Sequence, residues 1–280
     1  MKLRARRSWL VALAVTAVFT ATAGTATAET PGYVALGDSA AAGPFVLPVD
    51  DSSPGCLRSL ADYPHAVASQ LGLDLADVTC SSAATADMTA PQQTSKGPVA
   101  PQLDALTTNT GTVTLTIGAN DIGVAATVVS CVLNPSCADR LTAGGHDQLA
   151  EKIGAFAPRW GELIDQIKTR APNAKVYVVG YGTYFPHNGC WPGIPVTAED
   201  ANYIQDTIGR LDTMLALEAA VHGAKFIDIR PPSVGHDMCA APWTKWFEGL
   251  IPTSIAAPLH PNKTGMAAIG TYAANAIQGG

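Results

Sequence analysis

Three short motifs hold side chains that together can break an ester. Ser39 stands in Gly37-Asp38-Ser39 directly after an apolar run, where a sharp turn exposes a hydroxyl and aims backbone N–H groups at a developing oxyanion. Asn120 stands in Gly118-Ala119-Asn120-Asp121, and its amide can donate to an oxygen that gains charge in a tetrahedral intermediate. His260 lies in Pro258-Leu259-His260-Pro261-Asn262, a loop ahead of a final helix that can carry the imidazole back over Ser39 as its base. Each motif has a plain structural alternative. Asp38 and Ser39 can cap the helix that follows, and Gly-x-Asn-Asp forms an Asx turn unaided. His65 falls on a helix face and His222 near a helix end, where a positive charge is merely favourable. Local pattern does not separate His146, His187 and His236, and spacing alone ranks His260 only modestly above His236.

These motifs need a frame that presents them on one side. Tyr33 to Leu36 is short and apolar and ends at Gly37, as a buried first strand does. Four further runs share that character: around Val78 to Cys80, Val113 to Ile117, Lys175 to Val179, and Lys225 to Ile229. Between them, Glu151 to Arg170 places Ile153, Phe156, Trp160, Ile164 and Ile167 on one helical stripe, with Pro158 as a candidate break or kink. Ala198 to His222 repeats the pattern with Ile204, Ile208, Leu211, Leu215 and Val221, Thr197 as its cap and Asp200 favouring its N-terminal dipole. A last helix follows Gly265. Strand and helix in alternation predict a parallel sheet covered on both faces, a single α/β domain with its reactive groups on loops beyond the carboxyl ends of the strands.

Composition narrows the setting. Lys2, Arg4, Arg6 and Arg7 precede an apolar run from Trp9 to Phe19, and Ala26-Thr27-Ala28 then fits a signal-peptidase site before Glu29. The run is too short for a membrane span, so residues 1–28 read as a signal peptide and 29–280 as one secreted, extracellular domain. Four of the 17 basic residues leave with that leader and all 23 acidic ones stay, which takes the net charge from −6 to −10. An acidic chain without a basic cluster excludes nucleic acid as partner. Six cysteines, all beyond the leader, suggest three disulfides among 15 pairings, with Cys131 and Cys137 near enough to close a small loop. No Cys/His cluster has metal-ligand spacing and no phosphate-cradling loop occurs, so neither metal nor cofactor is expected.

Taken in order, Gly37-Asp38-Ser39, Gly118-x-Asn120-Asp121 and Leu259-His260-Pro261 resemble the SGNH (GDSL-type) hydrolases. The stretch Tyr33 to Gly43, with Val78-Thr79-Cys80-Ser81 and Gly235-His236-Asp237-Met238-Cys239, is similar to the secreted actinobacterial esterases and lipases within that family. The resemblance implies a flavodoxin-like three-layer α/β/α fold on a mainly parallel five-stranded sheet, and ester hydrolysis through an acyl-enzyme. It implies an oxyanion site of the Ser39 N–H, the Ser82 N–H and the Asn120 side chain. It also implies the pairings Cys56–Cys80, Cys131–Cys137 and Cys190–Cys239, and makes His236 and Asp237 loop-organising residues.

Three positions depart from the family pattern. Ser82 stands where glycine is usual, and Ala40 where an aromatic residue commonly follows the serine. Ala257 stands three residues before the histidine, where an aspartate is frequent. Members of this branch orient the imidazole with a backbone carbonyl instead, which makes a Ser–His dyad the expectation, with the Ala257 carbonyl first choice and the Pro258 carbonyl second. Trp191, Trp243, Trp246, Phe247, Leu250 and Ile251 are candidates for an acyl groove or, equally, for a mini-core under long loops. The expected substrate is a small-molecule or lipid ester, fatty-acyl or phospholipid, with transient contact to a lipid surface; no oligomeric state is implied. A carbohydrate O-deacetylase and an exported binding protein on the same scaffold are the alternatives.

Overall fold

A computed structural model of the chain describes residues 32–280; the expected signal peptide lies outside the described residues. Seven strands and nine α-helices are described, in chain order. They are β1 (Gly32–Gly37), α1 (Ser39–Ala42), α2 (Tyr63–Leu71), β2 (Leu75–Asp77), the hairpin β3 (Gln92–Thr94) and β4 (Gly97–Val99), and β5 (Thr110–Thr116). There follow α3 (Ala119–Ile122), α4 (Val124–Leu133), α5 (Cys137–Leu141), α6 (Gln148–Arg170) and β6 (Lys175–Val179). The chain ends with α7 (Ala198–Val221), β7 (Lys225–Ile227), α8 (Arg230–Ser233) and α9 (Lys263–Gln278).

Five strands form one parallel sheet in the order β2-β1-β5-β6-β7. Tyr33, Val34, Ala35 and Leu36 are buried whichever face they point to, as are Val176 to Val179. That two-sided burial explains why these strands read as unbroken apolar runs. The chain turns left from β1 to β2 and right from β5 onward, so right-handed crossovers put the connecting helices on opposite faces. On one face α2 packs on α9; on the other α6 packs on α7. Three layers result, and the strand order reverses between β1 and β5, the place where open α/β sheets bind ligands.

The helices follow their caps and stripes. Asp147 accepts from the N–H groups of Leu149 and Ala150 to start α6, and Leu149, Ile153, Phe156, Trp160, Ile164 and Ile167 form its buried stripe. Pro158 neither breaks nor divides it. The residue is exposed and so is Gly154, whose carbonyl loses its helical donor, so water can satisfy that group. Thr197 caps α7 through the Asp200 N–H, but Asp200 does more than favour a dipole. Fully buried, it accepts from the N–H groups of Ser136 and Ala138 and so anchors the loop closed by Cys131–Cys137. The second strand lies at Leu75–Asp77, just ahead of the expected Val78 to Cys80. That later stretch still runs beside β1, since Val78 N–H donates to Ala35 O and Cys80 N–H to Gly37 O.

Candidate active site

The carboxyl end of β1 makes the first wall. Gly37 has no room for a side chain: a Cβ there would lie 2.7 Å from the Thr116 carbonyl oxygen and 2.9 Å from the Ala41 Cβ. Buried Gln102 clamps the same residue with both ends of its amide, accepting from Gly37 N–H at 2.8 Å and donating to Gly37 O at 2.9 Å. Asp38 then caps the one-turn helix α1 by accepting from Ala40 N–H at 2.8 Å. Capping by Asp38 and presentation of Ser39 are therefore one feature, because the cap fixes the turn on which the hydroxyl stands.

His260 reaches that hydroxyl. Its Nε2 lies 2.7 Å from Ser39 Oγ, and its Nδ1 lies 2.6 Å from the Pro258 carbonyl oxygen. A carbonyl only accepts, so Nδ1 carries the ring proton and donates it, which leaves the Nε2 lone pair to accept from Ser39 O–H. The partner of Nδ1 is thus the Pro258 carbonyl and not that of Ala257, the first choice from sequence. Leu259 adopts a left-handed φ of 63°, which folds the imidazole back onto the carbonyl two residues before it. Ala257 is committed elsewhere in the loop: it is buried, and its N–H donates to Pro44 O at 2.9 Å. Burial of the imidazole lowers its basicity below the ordinary histidine value, and the Pro258 carbonyl partly restores it.

The oxyanion candidates converge from three loops. Ser82 takes the left-handed φ of 68°, a conformation glycine enters without cost and one that accounts for glycine at this place in the family. The N–H groups of Ser39 and Ser82 donate to no other described residue. Asn120 Nδ2 donates one proton to Ala83 O at 2.8 Å, which steadies the amide and leaves its second N–H for a ligand. Asp121 accepts from both Thr85 N–H and Thr85 Oγ1, so the 82–85 and 118–121 loops are locked together. Behind them Gly118 stands at φ 129° against Phe156, again a place for glycine alone. Cys56–Cys80 ties the loop after Ser39 to the Ser82 segment, and Cys190–Cys239 joins two late loops.

Ser39 and His260 line a partly open cleft. Its walls are Val124, Val128, Tyr184, Phe185, Ile208, Leu211, Met238 and Leu259, with Ala40 beside the serine. None of Trp191, Trp243, Trp246, Phe247, Leu250 and Ile251, for which a groove and a mini-core are equal readings of the sequence, lines it. Trp191, Trp243 and Ile251 are exposed, and Phe247 is buried behind the wall, packed against the Tyr184 ring at 4.3 Å. The apolar surface comes instead from α4 (Val124, Val128), from α7 (Ile208, Leu211), which packs against α4, and from loop residues such as Tyr184 and Met238.

The GDSL-like Lipase/Acylhydrolase family model matches residues 35–268. The chain belongs to this family. It is 39% identical to Lipase 2 of Streptomyces coelicolor over 245 residues, spanning 83% of this chain and 81% of that protein. It superposes on an extracellular lipase from Streptomyces rimosus with a TM-score of 0.73 at 27% identity, covering 88% of this chain and 98% of that one. A phospholipase A1 from Streptomyces albidoflavus NA297 gives 0.71, also at 27% identity, with 89% and 99% covered. The protein is a carboxylic ester hydrolase.

Within this GDSL-like hydrolase His260 is the one described histidine that lines the cleft at Ser39. His65 pairs with Asp62, His146 with Glu151 and His222 with Asp165, while His236 stacks on Trp246 and contacts Thr244 O. Asp237 caps the turn at Cys239, a loop-organising place. His187 lies in a separate open cleft with Asn202 and Asp206.

One residue that organises the site was not found in the sequence. Glu248 is fully buried, and its carboxylate accepts from Asn262 Nδ2, Thr253 N–H, Thr253 Oγ1 and Ser254 Oγ. These donors hold its pKa below the ordinary value although burial opposes them. Its N–H donates to His260 O, and its carbonyl accepts from Leu259 N–H. Glu248 does not touch the imidazole, yet it fixes the loop that carries both His260 and the Pro258 carbonyl. Sequence spacing gave no sign of it, since the carboxylate sits twelve residues before the histidine in a loop without periodicity.

Proposed function

We propose that this hydrolase is an exported esterase or lipase that cleaves fatty-acyl esters, phospholipids included, through a Ser39–His260 dyad. The observation that carries the reading is the 2.7 Å contact of Ser39 Oγ with His260 Nε2 beside an apolar cleft. In the first half-reaction Ser39 Oγ attacks the ester carbonyl carbon as Nε2 takes its proton. The oxyanion is received by the N–H groups of Ser39 and Ser82 and by the Asn120 amide. The C–O bond to the alcohol then breaks, and the imidazolium returns the proton to the departing oxygen. Water repeats the sequence on the acyl-enzyme and frees the acid. Lowered basicity keeps His260 neutral, hence active as a base, at and below neutral pH. Among the described residues no carboxylate contacts the imidazole; the Pro258 carbonyl dipole is its orienting partner.

Substrate class is argued from the walls. A partly open cleft walled by apolar side chains of α4, α7 and the flanking loops lies beside the nucleophile and suits an alkyl chain better than a polar sugar. Two stretches near the mouth, 44–49 and 249–259, carry no charged residue and are joined by the Ala257–Pro44 hydrogen bond. They expose Phe45, Leu47, Ile251 and Ile255, which favours transient contact with a lipid surface. The names of the relatives, lipases and a phospholipase A1, agree with that class. Export rests on the leader pattern, so the mature protein is expected to begin at Glu29, which N-terminal sequencing checks. One screen tests the rest: acetyl to long-chain esters, phospholipids and acetylated sugars, each with wild type and Ser39→Ala. Long-chain preference abolished by Ser39→Ala is the expected outcome. A maximum at acetylated sugars would replace the reading with deacetylation.

A further inference from the structure

Tyr181 follows the end of β6, and its hydroxyl lies between the two turns that present Ser39 and Asn120. It donates to Asp38 Oδ2 at 2.7 Å and accepts from Ala119 N–H at 3.0 Å. Both Asp38 and Tyr181 are buried. The backbone is held as firmly as the hydroxyl. Tyr181 N–H donates to Asp212 Oδ1 at 2.8 Å, and Asp212 is itself fully buried on α7, 3.4 Å from Arg230 Nε. Gly180 before it has no room for a side chain, since a Cβ would fall 2.6 Å from Phe226 and 2.9 Å from Asp212.

We propose that Tyr181 is a positioning residue of the hydrolase, setting the separation of the Ser39 turn from the Asn120 turn through its two hydroxyl hydrogen bonds. The residues on either side of Tyr181's hydroxyl are direct sequence neighbours of the nucleophile and of the oxyanion amide: Asp38 precedes Ser39, and Ala119 precedes Asn120. A displacement of either turn therefore passes to a group whose placement sets the rate. The Tyr181 ring also forms cavity wall, but its hydroxyl is used up on the protein. Phenylalanine keeps the wall and removes only the bridge, so the effect belongs in kcat rather than KM.

The bridge has a titratable end. Burial pushes the Asp38 carboxyl up to about 7, and the bond from Tyr181 pulls it down. Asp121 on α3 raises it further, and Tyr184 and His260 are the other titratable groups lining the same cavity. Loss of the Tyr181 hydroxyl must therefore shift Asp38 ionisation to higher pH.

The inference rests on the proposed roles of Ser39 and Asn120, so Ser39→Ala is assayed alongside; activity surviving in that variant defeats those roles and not this bridge. With Ser39→Ala inactive, Tyr181→Phe is expected to lower kcat on a soluble ester by about tenfold, with KM within about twofold. The acid limb of its kcat–pH profile is expected to move to higher pH. Asp38→Asn, which retains an acceptor but cannot ionise, is expected to leave only the limb of His260. Unchanged kcat in Tyr181→Phe overturns the proposal, as does a fall in kcat with the acid limb unmoved. Should Tyr181→Phe not fold, an Asp38→Asn profile identical to wild type overturns it equally.

Discussion

The two halves of the site are built by different means. Ser39 stands on a turn fixed from below by the sheet: Gly37 pressed against Thr116, Gln102 clamping its peptide, and Cys56–Cys80 alongside. His260 stands on a loop between Gly249 and Asn262 that has no strand or helix, and a single buried carboxylate organises it from within. The first half shares its supports with the core, so damage there should cost the fold. The second is supported locally, so damage there should cost activity first.

Gly37→Ala gives that contrast its largest expected effect. A Cβ lying 2.7 Å from a backbone oxygen cannot be relieved by a side-chain rotation, and the neighbours are central strands. Overpacking of this kind costs about 1–3 kcal/mol or more, and denaturant unfolding should show it together with loss of activity. Glu248→Ala tests the other half. Four donors lose their acceptor, at about 1–3 kcal/mol for each buried group that water cannot reach. Opening of the loop to solvent limits that loss globally but separates His260 from Ser39. The expected result is a fall in kcat/KM of about 100-fold or more, larger in proportion than the loss in unfolding free energy, with part of the activity kept by Glu248→Gln. Equal losses in both quantities would erase the distinction between the halves.

The same contrast explains which parts of the molecule are legible in its sequence. The five strands, the long helices and the motifs at the strand ends were legible because burial on both faces writes apolar runs and helix packing writes stripes: Tyr33–Leu36 and Ile153–Ile167 are examples. The β2 boundary slipped because Val78 to Cys80 hydrogen-bonds beside β1 beyond the strand proper. Around His260 the pattern fails. Choosing Pro258 over Ala257 depends on the left-handed φ of Leu259, and no residue type announces that conformation in a leucine. Of the two readings open for the Trp191–Ile251 set, a groove lining and a mini-core, neither predicts the cleft at Ser39, whose apolar walls lie near it in space but come mostly from residues far from His260 in sequence.

A smaller effect concerns the supports of the Ser39 half at alkaline pH. Asp62, which caps α2, and Asp77 at the end of β2 each bury an Oδ2 that finds no hydrogen-bond partner among the described residues, the Asp77 oxygen lying 3.6 Å from His65 Nδ1. Desolvation raises both carboxyls, Asp62 to about 7, and each influences the other, as expected of a pair that holds one proton between them. Folding therefore takes up a proton, and stability falls as pH rises from the unfolded value of about 4 toward and beyond 7. Asp62→Asn keeps an oxygen for His65 N–H and gives Asp77 a permanent donor. Its melting temperature should exceed that of wild type by several degrees at pH 8, about one to two kcal/mol, and by little at pH 5. The reverse order would mean that the pair is ionised and held by His65 and Arg58 instead.

Ser82→Gly separates strain from chemistry within the proposed oxyanion site. Serine at φ 68° carries a left-handed penalty of about 1–2 kcal/mol, while glycine brings extra entropy to the unfolded chain worth about 0.4–1 kcal/mol in the opposite sense. The net gain is expected to be about half a kcal/mol, visible as a small rise in the denaturation midpoint. Ser82 is exposed and its hydroxyl makes no hydrogen bond to another described residue, so the substitution removes no anchoring contact. If its N–H is the oxyanion donor, kcat should be kept, because glycine supplies the same N–H from the same dihedral angles. A sharp loss of activity would assign the work to the serine hydroxyl rather than to the backbone, making the departure at residue 82 a change of donor and not merely of conformational cost.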